Sequence, residues 1–501
     1  MANQTIVNID GLMAAAGHTG DHTIDTIGSP YNLAAASVPA DLDITGLWNS
    51  LTPIDGDIVI DCTGFDINFN ADFTIGDPTG TYSITMSVSK NDIGVNATTS
   101  AITGNMHNVI VTDNVGNGIS FEAGAVYEGS VLNCYDCLCL DNGLDGFNIH
   151  ATGGTGVSTM NLYNCESDGH DATDTSDGAT AHEFTVLNIH GGSYHDNTHG
   201  VHSVNNSTTN LFGNTGYGPV LFDDNLNVGD TLGYGIRIDG GSTFLNTSGK
   251  IICTGNHVGA RIAGNAIADI AAGLSISGSI LYDLNLRETS KTVIDGAEIA
   301  PSATNAASVY TENTSNLTID NSTLDGTDLS SGSGEELVLL DSSGKINLSY
   351  NQFKEVTSRS AIYARVTGTT GTIQHNTFYN NGIHYRLGGA SSLIEFIDNI
   401  LSTATTAAIF NPSVSYDAIT AHHNLFHANT SNLSGAGTIV SPDIIYTGTL
   451  DSLLIDAPNG NFSLPSGSPA IETASDGTNI GYWQGKGHGF TSPFKYITYL
   501  K

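Results

Sequence analysis

Two segments of the chain repeat the pattern Asp-Gly-x-x-x-His. One runs from Asp145 to His150 and the other from Asp177 to His182, with Glu183 directly after the second. Carboxylates and imidazoles are the side chains that hold and move protons near neutral pH. The Asp-Gly pairs also suit turns, so the pattern has a structural reading beside the chemical one. An alignment on glycine extends it. Gly146, Gly178, Gly200, Gly235 and Gly259 each open a short β-prone run. Counting the glycine as zero, positions one and three are mostly apolar or small and should face inward. Positions two and four should then face outward, because strand side chains alternate. The outward set is Asn148, His150, Thr180, His182, His202, Arg237, Asp239 and Arg261. If the runs stack, these residues form one polar strip, with an expected interruption around Gly218 where the spacing is irregular.

If the ligand is a glycan, three outcomes are open to such a strip. Removal of the proton α to a uronate carboxylate needs a base, an acid and a cation for the carboxylate. His150 or His182 suits the base, with Asp145 or Asp177 orienting an imidazole. Arg237 or Arg261 can bind the carboxylate bidentately. Asn148, Thr180, His202 and Asp239 would complete the substrate-binding surface. Hydrolysis of a glycan by paired carboxylates would instead use Asp145, Asp177 and Glu183 on adjacent coils. The third outcome is binding without catalysis.

The elements that must position these residues announce themselves by a period. Asn351, Asn376, Asn399 and Asn424 follow β-prone runs at steps of 25, 23 and 25 residues. Such a period means stacked coils, each contacting its neighbours, and not a single central core. An asparagine at the same turn of each coil can hydrogen-bond along the stack and tolerates a left-handed backbone. Residues 56–440 therefore read as roughly 16 coils of ~24 residues. Residues 1–55 lack repeats and read as an N-terminal cap or attachment region; 441–501 read as a C-terminal cap segment. A long excursion on the site side, 32 residues from Gly146 to Gly178, carries the acidic insert Glu166–Ser176 with His170. Insertions of this kind project on one face, often the binding face. Asp168, Asp171 and Asp174 in it are candidates for Ca²⁺, although their spacing is not that of an EF-hand loop. Further along, His384 and Arg386 form a second outward pair, with Tyr363 and Arg365 one coil before.

Composition agrees with many short strands and turns: 501 residues, 59 of them Gly, and only 13% charged. Fifty acidic residues against 14 basic give a formal charge of −36, which argues against nucleic acid and anionic membranes as partners. No run of about 18 apolar residues occurs, so no membrane insertion is expected. The N-terminus has neither a basic region nor a sustained apolar run, so no signal peptide is read there. Cys134 and Cys137 have a C-x-x-C spacing, but Cys134 and Cys165 stand in matching places, Leu132-Asn133-Cys134 and Tyr163-Asn164-Cys165. Stacked buried thiols are the reading, with no zinc and no other cofactor expected.

The tail from Asn459 to Gly481 (NGNFSLPSGSPAIETASDGTNIG) and the coil Asn133–His150 (NCYDCLCLDNGLDGFNIH) resemble right-handed parallel β-helix proteins of the pectate-lyase-like superfamily. The resemblance covers most of residues 100–485. It implies an all-β, single-stranded right-handed parallel β-helix with caps at both ends. That superfamily includes polysaccharide lyases, glycoside hydrolases, uronan epimerases, phage tailspikes and non-catalytic members. The Lys and Arg pair of some lyases and the full acidic set of the polygalacturonases are both missing here. The resemblance thus implies a polysaccharide partner and, by likeness to tailspikes, a homotrimer that is extracellular or part of a virion. Cleavage by β-elimination leads the expectations, with hydrolysis and a structural or glycan-binding fibre as the alternatives.

Overall fold

A computed structural model describes residues 4–481 except 38–40, 45–47, 88–89, 98–99, 125–128, 153–156, 171–175, 214–215, 227–232, 271–272, 302–306, 330–335, 367, 389–392, 416–420 and 437–441. The chain winds into a parallel β-helix. Three long sheets of 17, 16 and 17 strands run its length, and successive coils donate one strand to each. Every named strand pair is parallel and joins a strand to its counterpart one coil on, as in Phe147–Thr152 with Asp177–Ala181. The 16-stranded sheet carries the strip and is called the site sheet below.

Alternation of burial along the strands explains the winding. Strands such as Ile119–Gly124 and Phe147–Thr152 alternate buried and half-buried residues. Their inward side chains join one apolar cluster that extends without a break from Ile6 to Phe426. Pairing begins earlier than the expected boundary at 55: Gly20–Ile24 pairs with Trp48–Pro53, and Leu42–Ile44 with Ile67–Phe69. Ahead of them the short helix Ile9–Ala15, capped by the Asn8 side chain, brings Leu12 and Ala15 into the end of the core. At the other end Leu453, Leu454, Phe462, Ala470 and Ile480 cluster with Tyr379, Ile400 and Leu425 on the outside of the last coils.

The asparagine ladder is present and fully buried. The backbone N–H of Asn351 donates to Asn376 Oδ1 (2.9 Å), Asn376 to Asn399 (3.0 Å) and Asn399 to Asn424 (3.0 Å). Each Nδ2 reaches back to the carbonyl oxygen of an earlier coil, as Asn376 does to Leu348 (2.9 Å). The left-handed residue is not the asparagine, as expected above, but the one before it: Tyr350, His375, Asp398 and His423 have φ of 52–58°. The asparagine turns its amide inward only because its predecessor reverses the chain. Replacing Asn376 with Ala strands the Asn351 N–H and the Leu348 carbonyl in the core. This should cost about 2–5 kcal/mol, read as a lower urea midpoint; an unchanged midpoint would contradict the ladder's role.

All six cysteines are free and buried. Their stacking differs from the expected match. Cys165 sits over Cys137, each following a left-handed residue (Asn164 and Asp136) joined by an Asn164–Asp136 hydrogen bond of 2.7 Å. The register pairs Cys134 with Leu162 instead. The repeating unit is Tyr-Asp/Asn-Cys, in which Tyr135 pairs with Tyr163, and the Asn-Cys pair shared by Asn133-Cys134 and Asn164-Cys165 is a false match.

Candidate functional site

The register of the site sheet decides which outward residues meet. Asn148, Thr180, His202, Arg237 and Arg261 lie in one column, each directly beside the next. The expected interruption near Gly218 does not occur. The register is kept across the longer step from Gly200 to Gly235, so His202 and Arg237 are immediate neighbours. A second column joins Asp177, His199 and Tyr234, the residues just before the aligned glycines. Asp145 precedes Gly146 in the same way.

Between these columns lies a cleft of ≈ 280 Å³ lined by Asn117, Leu144, Asp145, Asn148, Asp177, His182, His199, His202 and Arg237. Asp145 and Asp177 are its buried floor, 5% and 2% exposed. Asp145 accepts hydrogen bonds from Asn148 Nδ2 (2.7 Å) and from the Asp177 N–H (3.0 Å). Its own N–H donates to Asn117 Oδ1 (3.1 Å). Asp177 Oδ2 accepts from Thr180 Oγ1 (3.2 Å) and faces His202 Nδ1 at 3.0 Å. The other His202 nitrogen points at Asp239 Oδ2, 3.7 Å away. Arg237 Nε donates to the same Asp239 oxygen at 2.7 Å, and Arg261 approaches it at 3.5 Å. The His199 Nδ1–H donates to the Thr198 carbonyl oxygen (2.7 Å), which leaves Nε2 to accept from Arg237 (2.8 Å).

These contacts push the titrations apart. Burial, and then the Asp177 charge, raise Asp145 to about 7. Burial alone would raise Asp177 too, but His199, His202 and Arg237 outweigh it and hold this carboxyl below its usual range. Burial would lower His202, yet the hydrogen bond and charge of Asp177, helped by Asp239, raise it to about 9. Desolvation takes His199 down to about 4 and also lowers His182. Near neutral pH the cleft therefore holds a protonated or half-protonated Asp145, an ionised Asp177, an imidazolium at His202 and neutral imidazoles at His182 and His199.

The pairing within the two Asp-Gly-x-x-x-His units is not the one their spacing suggested. Asp145 holds Asn148, and Asp177 holds His202 of the following coil. His150 pairs with Glu183 at 3.0 Å, its side chain 41% exposed, and neither lines the cleft. Glu183 also accepts from Asn205 Nδ2. Thr180 is buried beneath the strip. His170 is not part of a loop site: it is fully buried and takes an asparagine's place in a second ladder. There its Nδ1 accepts the Asn142 N–H (3.0 Å), and its own N–H donates to Asn197 Oδ1. Asp171 and Asp174 lie outside the described residues. Asp168 lies 3.4 Å from His195, which also contacts Glu166 and Asp196. Burial would lower His195, but these carboxylates raise it. His384, expected outward, is fully buried and hydrogen-bonds Asn381 and Asn429. The positions flanking it in register, Ala361 one coil before and Ala408 one coil after, are buried as well.

Asn117, Leu144, His199 and Tyr234 were not singled out from the sequence. His199 and Tyr234 carried a signal nonetheless. Asp145, Asp177, His199 and Tyr234 each stand directly before an aligned glycine.

No protein-family model matches the sequence, and no curated protein matches it significantly. Among solved structures the chain is similar to the A-module of the mannuronan C-5 epimerase AlgE4 from Azotobacter vinelandii. The identity is 14%, over 88% of this chain and 94% of that one, with a TM-score of 0.21. At that score the likeness carries no inference about site or substrate; the parallel β-helix rests on the strand pairing described above.

Proposed function

We propose that the cleft removes the proton α to the carboxylate of a uronate residue in a polysaccharide, leading to β-elimination or epimerisation. The observation that supports this most is a local reversal of charge. In a chain of formal charge −36, the cleft and its rim set three cations, His202, Arg237 and Arg261, against two ionised carboxylates, Asp177 and Asp239. An anionic sugar is the ligand class such a spot favours.

Each remaining group then has a task. His182 is neutral and takes the proton. His202 and Arg237 face the substrate carboxylate and stabilise the charge that spreads onto it as the C–H bond breaks. Asp177 keeps His202 charged. Asp145 holds a proton near neutral pH and sits within the same cleft. In elimination the C–H electrons form the new carbon–carbon double bond, the glycosidic oxygen leaves, and Asp145 protonates it. In epimerisation a proton returns to the opposite face of the same carbon.

Hydrolysis by the Asp145 and Asp177 pair is the second reading, favoured by the wide separation of their titrations. It is weaker because Asp177 Oδ2 is engaged by both Thr180 and His202. Glycan binding without turnover, in a tailspike-like or other fibre, is the third. A setting outside the cell or on a virion, and a trimeric state, belong to the same proposal. Among the described residues no helix is long and apolar enough to cross a membrane. The test is incubation with acidic and neutral polysaccharides, following ultraviolet absorbance and reducing ends together. Unsaturated products support elimination. New reducing ends without a double bond would replace it with hydrolysis.

A further inference from the structure

The distribution of arginine is one-sided. The chain has six: Arg237, Arg261, Arg287, Arg359, Arg365 and Arg386. Arg237, Arg261 and Arg386 lie within site-sheet strands, Arg287 and Arg365 directly follow such strands, and Arg359 directly precedes one. None lies on the other two sheets. The column that begins with His202 and Arg237 continues in register through Arg261, Asn285, Tyr310, Leu339, Tyr363 and Arg386 to Phe410. Most of these cations are matched. Arg237 and Arg261 share Asp239, Arg287 pairs with Glu312 at 3.2 Å, and Arg365 pairs with Asp341.

Arg386 differs. Among the described residues no carboxylate pairs with it, in a chain with 50 acidic side chains. Its guanidinium lies 4.3 Å from the centroid of the Tyr363 ring and 5.7 Å from that of Phe410. Its Nε is buried without an acceptor. Aromatic faces fix the plane of a guanidinium and leave its edge, a fork of N–H donors, for a planar oxyanion.

We propose that Arg386, held by Tyr363 and Phe410, is a second carboxylate-binding site, which takes a distant uronate of the same polymer that enters the cleft. This rests on the uronate reading of the cleft. Seven coil steps separate Arg386 from His202, ~34 Å at the usual strand spacing. Only an extended chain reaches both places at once. The second contact is then intramolecular, so it raises affinity for long chains alone. The stacked pair Tyr282 and Tyr310, with ring centroids 5.0 Å apart, lies between the two places along the same face.

The experiment is calorimetric titration of the full chain with size-fractionated oligouronates, some shorter and some longer than this span. The wild type should bind the long fractions about tenfold more tightly than the short ones, the worth of one charge-assisted contact. Arg386→Ala should bring that ratio close to one. Arg386→Lys, which keeps the charge and the stem but not the fork, should fall between them; it also guards against simple misfolding. A ratio unchanged in Arg386→Ala, or equal losses for short and long fractions in both variants, would overturn the proposal. So would an equal preference for long sulfated glycans, which would make the face a general polyanion surface. The two readings fail separately. Turnover without any length dependence would remove the distal site and keep the cleft chemistry. Length-dependent binding without turnover would do the reverse.

Discussion

Substitution of His182 by Gln is expected to lower turnover of a uronate polymer by ~10²–10⁴-fold, the usual worth of a positioned base, while binding is retained. The imidazole lines the cleft, is kept neutral by burial, and meets the rings of His150 and His202 at 6.0 and 6.4 Å. Glutamine keeps polarity and bulk but cannot accept the proton. The pH profile carries a second test. Activity should rise as His182 loses its proton, at a pH below the ordinary histidine value, and fall as Asp145 loses its own near 7. In His182→Gln the acid limb should vanish from whatever activity remains. His150→Ala is the control. Its ring pairs with Glu183 at the surface, so its loss should change turnover far less. Equal effects of the two substitutions would show that the base lies elsewhere.

The Asp177→Asn variant should lose both stability and activity. Asp177 is buried against His202, and removing one partner of a buried pair costs about 3–5 kcal/mol because the other charge is left uncompensated. Linkage gives the sign with pH. His202 is raised in the folded chain to about 9. Its contribution is therefore complete below the unfolded value near 6.5 and is lost as pH rises through 9. Asp177 is lowered, so its share of the same interaction is present above about 4 and fades as pH falls below that. The wild type should thus weaken steadily between neutral pH and pH 9, and the Asn variant should be weaker but flatter over that range. Its His202 would lose the partner that chiefly raises it, leaving less positive charge for the substrate carboxylate. Equal alkaline slopes in the two proteins would contradict the pairing.

The periodic parts of this molecule were legible in its sequence because a solenoid repeats one local solution. The asparagine steps gave the coil, and the aligned glycines gave the site sheet and its outward column. What stayed hidden was contact between coils. The partner of Asp177 lies not within its own Asp-Gly-x-x-x-His unit but one coil on, at His202. No spacing inside a coil reveals that. His384 shows a different limit. It occupies the place that glycine holds in the earlier coils, where the strand bends and two successive residues both turn inward. Counting from Gly382 put the frame two residues too early, so strict alternation sent His384 outward. His199 was missed because the position before the glycine was read only where it holds an aspartate, at Asp145 and Asp177. His170 was read as part of an acidic loop because an imidazole in place of a ladder asparagine has no signature of its own.

The most direct test is isotope exchange. The protein would be incubated in D₂O with uronate oligomers longer than the span to Arg386, and deuterium in the recovered sugars located by NMR. Abstraction at this cleft predicts exchange at the carbon α to the carboxylate or loss of that proton to an unsaturated product, abolished in His182→Gln and retained in His150→Ala. Cleavage that yields saturated ends with no exchange at that carbon would contradict the account and move the chemistry to the Asp145 and Asp177 pair.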